Sequence, residues 1–186
     1  VSTHLWRTGL LVVPLLLAGC ASADAAPGAA AAAPPSSSPS AVDQAPPSGT
    51  AAMVCGADVV GDVSRALALS MPPVTDSTWA DQLFTCDYSL PMGPLVLSVK
   101  ESPDAAAAAE YFDGRQAELT GAAAALGLGE RAFSTPTGTV VVVKDAMTLT
   151  VDATGLPEEF GANGQRRSAF AYEVASIVLG CWTGHE

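Results

Sequence analysis

From Ala21 to Thr50, alanine, proline and serine supply 23 of 30 residues, and this stretch decides how much of the 186-residue chain is free to fold. Asp24 and Asp43 are its only charges, and neither a helical nor a strand period runs through it. Such a segment buries too little apolar surface to offset the entropy of ordering its backbone. Its prolines favour extended polyproline II conformations and its Ala/Ser runs a looser coil. Residues 20–52 therefore read as a tether. That leaves residues 53–186, enough for one domain that buries roughly two thirds of the surface its unfolded chain exposes.

Residues 1–19 read as a targeting segment. His4 and Arg7 supply a thin positive region and Leu10 to Leu17 an apolar run, with small residues at Ala18 and Gly19. The run falls well short of the roughly 20 apolar residues that span a bilayer. The sequence Leu17-Ala18-Gly19-Cys20 resembles the lipobox of bacterial lipoprotein signal peptides. The resemblance implies diacylglycerol on the Cys20 sulfur, cleavage before Cys20, and attachment to the extracytoplasmic face of the cell membrane. Acyl chains worth about 0.8 kcal/mol per buried methylene anchor stably when two are present. An ordinary secretory leader with an incidental cysteine is the alternative.

Charge narrows the partners. The formal net charge is −11, and it becomes one unit more negative when Arg7 leaves with the leader. Nucleic acid and anionic head groups repel such a surface, so no nucleic-acid partner is expected. The membrane is reached through the lipid on Cys20.

The remaining domain reads as α+β. Apolar residues at Val59, Val60, Val63 and Leu67 make an amphipathic helix from Cys55 to Leu69, ended by Pro72 and Pro73. Phe84, Cys86, Tyr88 and Leu90 alternate with polar residues, as do Leu95, Leu97 and Val99 after a Pro91-to-Pro94 turn, giving a hairpin. Ser102-Pro103-Asp104 starts a second helix, with Ser102 expected as its cap, running to Leu119. A short strand at Arg131-Ala132-Phe133 precedes a second hairpin over 139–144 and 147–154. Phe170, Val174, Ile177, Val178 and Cys181 place one apolar stripe on a last helix. The expected architecture is a two-layer sandwich, a mainly antiparallel sheet with helices on one face, arranged as two helix-hairpin halves.

Three cysteines remain after lipidation, each on a stripe that faces the core, and an exported compartment permits oxidation. The leading pairing is Cys55 with Cys86, clamping the first helix to the first strand. Pairs that use Cys181, and no disulfide at all, stay open. The unpaired cysteine is expected to be a buried thiol.

Catalytic chemistry finds little to work with. His185 is the one histidine after the leader, which removes serine–histidine triads and multi-histidine metal sites. Cys181 and His185 have dyad spacing, but Gly180 and Gly184 loosen that turn, so the thiol reads as structural. Glu101, Asp104, Asp145, Asp152, Glu158 and Glu159 supply carboxylates, of which a glycosidase needs two at the right separation; local reasons account for the turn, strand-face and helix-start positions. Gly127-Leu128-Gly129 lacks the third glycine of a dinucleotide loop. Arg166-Arg167 reads as a solvated helix face, and Trp79, Tyr88 and Trp182 as core. No catalytic residue, metal site or cofactor is assigned, and the ligand-binding residues stay open.

Cys55 opening a helix, Thr85-Cys86-Asp87-Tyr88, Gly127 to Ala132 and the terminal Cys181-Trp182-Thr183-Gly184 together resemble small actinobacterial envelope lipoproteins. More distantly the two-cysteine arrangement resembles extracytoplasmic sensor modules of actinobacterial kinases. The resemblance implies an envelope lipoprotein and brings no catalytic residue with it. The expected function is a non-enzymatic binding or interaction module on a tether. A carboxylate-based hydrolase of envelope carbohydrate and a small-molecule or lipid carrier are the alternatives.

Overall fold

The computed structural model describes residues 45–161 and 163–183. The leader, Cys20, most of the tether and His185 lie outside the described residues. Among the described residues no helix is long and apolar enough to cross a membrane.

The chain forms an α+β sandwich around a seven-stranded antiparallel sheet of order β1-β2-β3-β7-β6-β5-β4. The strands are β1 Val74–Ala80, β2 Leu83–Leu90, β3 Gly93–Glu101, β4 Ala123–Ala124, β5 Arg131–Ser134, β6 Thr139–Lys144 and β7 Met147–Asp152. A small hairpin, β8 Glu159–Phe160 with β9 Gln165–Arg166, stands apart from the sheet. The helices are α1 Gly49–Ala52, α2 Ala57–Ala66, α3 Ala105–Glu118 and α4 Arg167–Thr183, with a 3-10 turn at Met53–Cys55 between the first two.

The period-two pattern settles which side chains meet. Cys86, Tyr88, Leu95, Leu97, Val99, Leu149 and Val151 point to one face and are buried against Val59 and Val63 of α2 and Phe170, Val174 and Val178 of α4. α3 lies on the other face. Its Ala108 and Phe112 pack with Phe133, Val141 and Val143, and the Phe112 and Phe133 rings meet edge to face at 5.1 Å between centroids. The helices thus occupy both sides at the β5–β6 end, where one side was expected. Apart from the two-residue β4, the sheet order is symmetric about the β3–β7 pair, as two halves require, but a two-fold through that pair would place α2 and α3, or α3 and α4, on one face. The helices do not share that symmetry.

Local differences have local causes. The cap of α3 is Asp104, whose Oδ1 accepts from the Ala107 N–H at 2.8 Å. Ser102 is still tied to the ladder by its N–H to the Ala146 carbonyl, so the chain turns into the helix only two residues later. Glu158 precedes the β8–β9 hairpin and Glu159 begins it, instead of the two opening α4. The buried stripe of α4 is Phe170, Ala171, Val174, Ala175, Val178 and Trp182. Cys181 sits at its border and is half-buried, where a buried thiol was expected.

The packed chain also starts before Met53. The Trp79 indole N–H donates to the Ala45 carbonyl at 2.8 Å and that of Trp182 to the Thr50 carbonyl at 3.1 Å. The Ser48 N–H donates to Glu101 Oε1 at 2.8 Å, and Ala51 is fully buried. Composition is silent here because the contacts are made by backbone groups and one methyl. A protein starting at Met53 should melt roughly 5 to 15 °C below one starting at Ala45, since three hydrogen bonds at about 0.5–1.5 kcal/mol each are lost; calorimetry of the two checks this.

Tyr88 is buried, its hydroxyl donates to the Val54 carbonyl, and burial raises its pKa well above the usual phenol value. An unfolded phenol titrates near pH 10. Above that pH the unfolded chain sheds a proton that the fold retains, so the stability held below pH 10 is lost as pH rises. Urea unfolding of Tyr88→Phe should show a loss of about 1 kcal/mol at neutral pH and a shallower decline than the parent above pH 10.

Candidate functional site

Since α3 covers only the β5–β6–β7 end, the same face of β1, β2 and β3 is left bare. Its floor is Asp76 and Thr78 from β1, Thr85, Asp87 and Ser89 from β2, and Val96, Ser98 and Lys100 from β3, all exposed or half-exposed. On β2 and β3 these residues alternate with core residues, so the same periodicity that builds the core delivers a polar set to the opposite side.

Register places Asp76 directly opposite Asp87. Such a pair has Cβ atoms roughly 5 Å apart, and like charges at that position are destabilising. Among the described residues neither carboxylate has a hydrogen-bond or ion-pair partner. The next residue along that row is Val96 and the next Asp152, whose Oδ1 is occupied by the Thr154 N–H at 2.9 Å and the Thr154 hydroxyl at 2.6 Å. Asp87 belongs to the segment Thr85-Cys86-Asp87-Tyr88, but Asp76 belongs to no motif. The signal that finds it is strand pairing, which needs the unrecognised strand β1.

The bare half has a flank at each end. Where α3 rises from the sheet, a groove of about 410 Å³ is lined by Gln82, Lys100, Glu101, Glu110 and Tyr111. Glu101 is engaged by the Ser48 N–H and Lys100 by the Asp81 carbonyl, so each has a structural duty there. At the opposite end of β1, a groove of about 220 Å³ is lined by Leu69, Met71, Pro72, Val74 and Pro91. Met71 and Val74 are each 75% exposed, an apolar edge on an otherwise polar surface.

The Cys55–Cys86 disulfide lies beneath this face, on the covered side of β2, with Cα atoms 5.6 Å apart and the two cysteines 31 positions apart in sequence. It ties the 3-10 turn ahead of α2 to the strand that carries Asp87. Cys181 is free.

The other singled-out residues are structural. Arg167 begins α4 and its Nη1 donates to the Leu156 carbonyl at 2.9 Å, while Arg166 pairs with Glu159 at 3.7 Å. Gly129 has φ +52, and a Cβ there would lie 2.5 Å from Val142 Cγ1, so glycine lets the loop sit down on β6. Leu128 is buried beside it. Asp145 has φ +56 in the β6–β7 turn. Trp79 and Trp182 hold the incoming chain. Phe84, Tyr88, Leu95, Leu97 and Phe170 fill the space between the sheet and the helices on its covered side.

No family model, curated protein or solved structure matches the chain.

Reduction should cost the domain about 2–5 kcal/mol, and Cys86→Ala should cost a similar amount, because a closed loop of this length is released in the unfolded ensemble. Denaturant titration with and without reductant measures it. Non-reducing peptide mapping should recover Cys55 linked to Cys86, with half-buried Cys181 alkylated slowly in the native protein and quickly after denaturation.

Proposed function

We propose that the chain is a lipid-anchored extracytoplasmic protein, attached to the membrane through Cys20, whose domain is a non-enzymatic binding module that engages its partner on the bare β1–β3 half of the sheet. The observation that carries this reading is the half-covered sheet: one face is buried across β2, β3, β7 and β6, whereas α3 leaves β1, β2 and β3 open on the other. A polar sheet face is solvated at little cost, so exposure alone does not require a partner. The unpaired Asp76–Asp87 juxtaposition and the apolar groove beside it are different: the repulsion is relieved by a partner that brings a cation, and the groove is less favourable in water than when covered.

The disulfide supports the compartment, because cysteine pairs persist in oxidising surroundings. The lipobox supplies the anchor. The carboxylate arrangement does not favour hydrolysis: Asp76 and Asp87 stand on an exposed face, and of the two carboxylates in the flanking groove, Glu101 and Glu110, the first is engaged by the Ser48 N–H. The filled interior does not favour a carrier that encloses its cargo.

Two measurements test the reading. Cys20→Ala should move the protein from the membrane to the soluble fraction, and retention on the membrane in high salt refutes the anchor. A photo-crosslinking residue at Ser98, on the bare face, should give an adduct in intact cells, whereas one at exposed Ser176 on α4 should give none. Equal labelling from both sites, or none from Ser98, refutes the bare face as the binding surface.

A further inference from the structure

We infer that β1 is a strand-addition edge, and that its occupant is an extended segment of another protein carrying a lysine or arginine opposite Asp76 and an apolar residue opposite Val74. This rests on the reading of the bare half as the binding face and specifies how that face is engaged.

Three observations converge on β1. It is the outermost strand of the sheet and pairs with β2 through seven consecutive residues without a bulge. Within Val74–Ala80, β1 has no proline, no lysine and no bulge to protect its edge; its one charge is Asp76, and Pro72-Pro73 stand just before it. The sheet's other edge, β4, is only two residues long. An added strand would find a row of backbone donors and acceptors, the source of affinity in β-augmentation.

Side chains then specify the occupant. Asp76 and Asp87 sit side by side at the open face with no cation between them among the described residues. A residue placed opposite Asp76 on an added strand shares that face, within about 5 Å for Cβ atoms. A lysine or arginine there reaches both carboxylates. Two residues further along the same face lies Val74, beside the groove of Leu69, Met71, Pro72 and Pro91. In an antiparallel addition the segment reads, from its N-terminus, cation, any residue, apolar residue.

Charge selects among occupants. Residues 20–44 of this chain contain no lysine or arginine, only Asp24 and Asp43, so the chain's own upstream segment cannot supply the cation. A second copy of β1, Val74–Ala80, brings another aspartate and no cation, within a chain of net charge −11. A basic segment from a different protein fits where both of these are repelled.

The test uses the full mature chain released by Cys20→Ala and a blocked probe peptide, Thr-Val-Thr-Lys-Thr-Leu-Thr. Backbone amide resonances of Val74–Ala80 should shift saturably and their hydrogen exchange should slow. Replacing the probe's lysine with glutamate, or Asp76→Lys in the protein, should weaken binding at least tenfold, and combining the two should restore it. Methylating the probe's alternate backbone nitrogens on the ladder side should abolish binding. Asp76 is exposed on an edge, and the unperturbed spectrum of the Asp76→Lys core verifies its fold. Binding that ignores the charge swap or the methylation, shifts located away from β1, or self-association through β1 without peptide each overturns the inference. Adducts from Ser98 that persist while β1 ignores the peptide overturn this inference alone. Loss of the Ser98 adduct overturns the binding face itself.

Discussion

Strand β6 is the part of the fold on which both layers depend. Val140 and Val142 enter the large core under α2 and α4, while Val141 and Val143 enter the smaller core under α3, so four consecutive residues are buried on two sides. A helix with side chains is about 10 Å across and strands stand about 4.8 Å apart, so one helix covers roughly two strands. α3 is the one helix on its face among the described residues, and β6 and β7, with Phe133 of β5, consume it. The bare half is a geometric consequence of that allocation.

The bare half is also the half with a one-sided core, and the chain compensates from the covered side. The disulfide from Cys55, the Tyr88 hydroxyl on the Val54 carbonyl, and the indole N–H groups of Trp79 and Trp182 on Ala45 and Thr50 all gather the N-terminal segment toward the sheet. The first three tie that segment to β1 and β2 and the last ties it to α4, none placing anything on the open face. A surface held this way loses little conformational freedom when a partner arrives, which favours affinity per unit of contact.

Much of this was legible in the sequence because burial on one face writes itself as alternation. Phe84-Cys86-Tyr88-Leu90 and Met147-Leu149-Val151 gave strands, and Cys55 and Cys86 gave their pairing as the leading option, because in each case every second residue meets a core. The two-sided burial of β6 was written in the unbroken run Val140-Val141-Val142-Val143, a pattern typical of strands covered on both faces. Reading it that way places a helix on each side. β1 was illegible for the opposite reason: Val74-Thr75-Asp76-Ser77-Thr78-Trp79-Ala80 has only Thr75 and Trp79 half-buried, so no hydrophobic period marks it. The site inherits that gap, since Asp76 meets Asp87 only once β1 is paired. The segment 45–52 was hidden because it docks through backbone atoms, to which composition is blind.

The Asp76–Asp87 pair sets the local rules of sheet stability against the chain's own register. A like-charge pair directly across two strands costs on the order of 0.2–1 kcal/mol compared with a neutral pair, and either position, being exposed, accepts threonine or serine as its neighbours Thr78 and Thr85 do. The register is not free to relieve the repulsion, because a one-residue slip of β1 would turn Trp79 out of its place and break its hydrogen bond to the Ala45 carbonyl. The cost is therefore fixed by the covered face and borne on the open one. Positions where a fold contradicts its own local preferences are those where function is expected to act. At this edge the contradiction is electrostatic, and a cation brought by a neighbouring strand is the simplest chemistry that removes it.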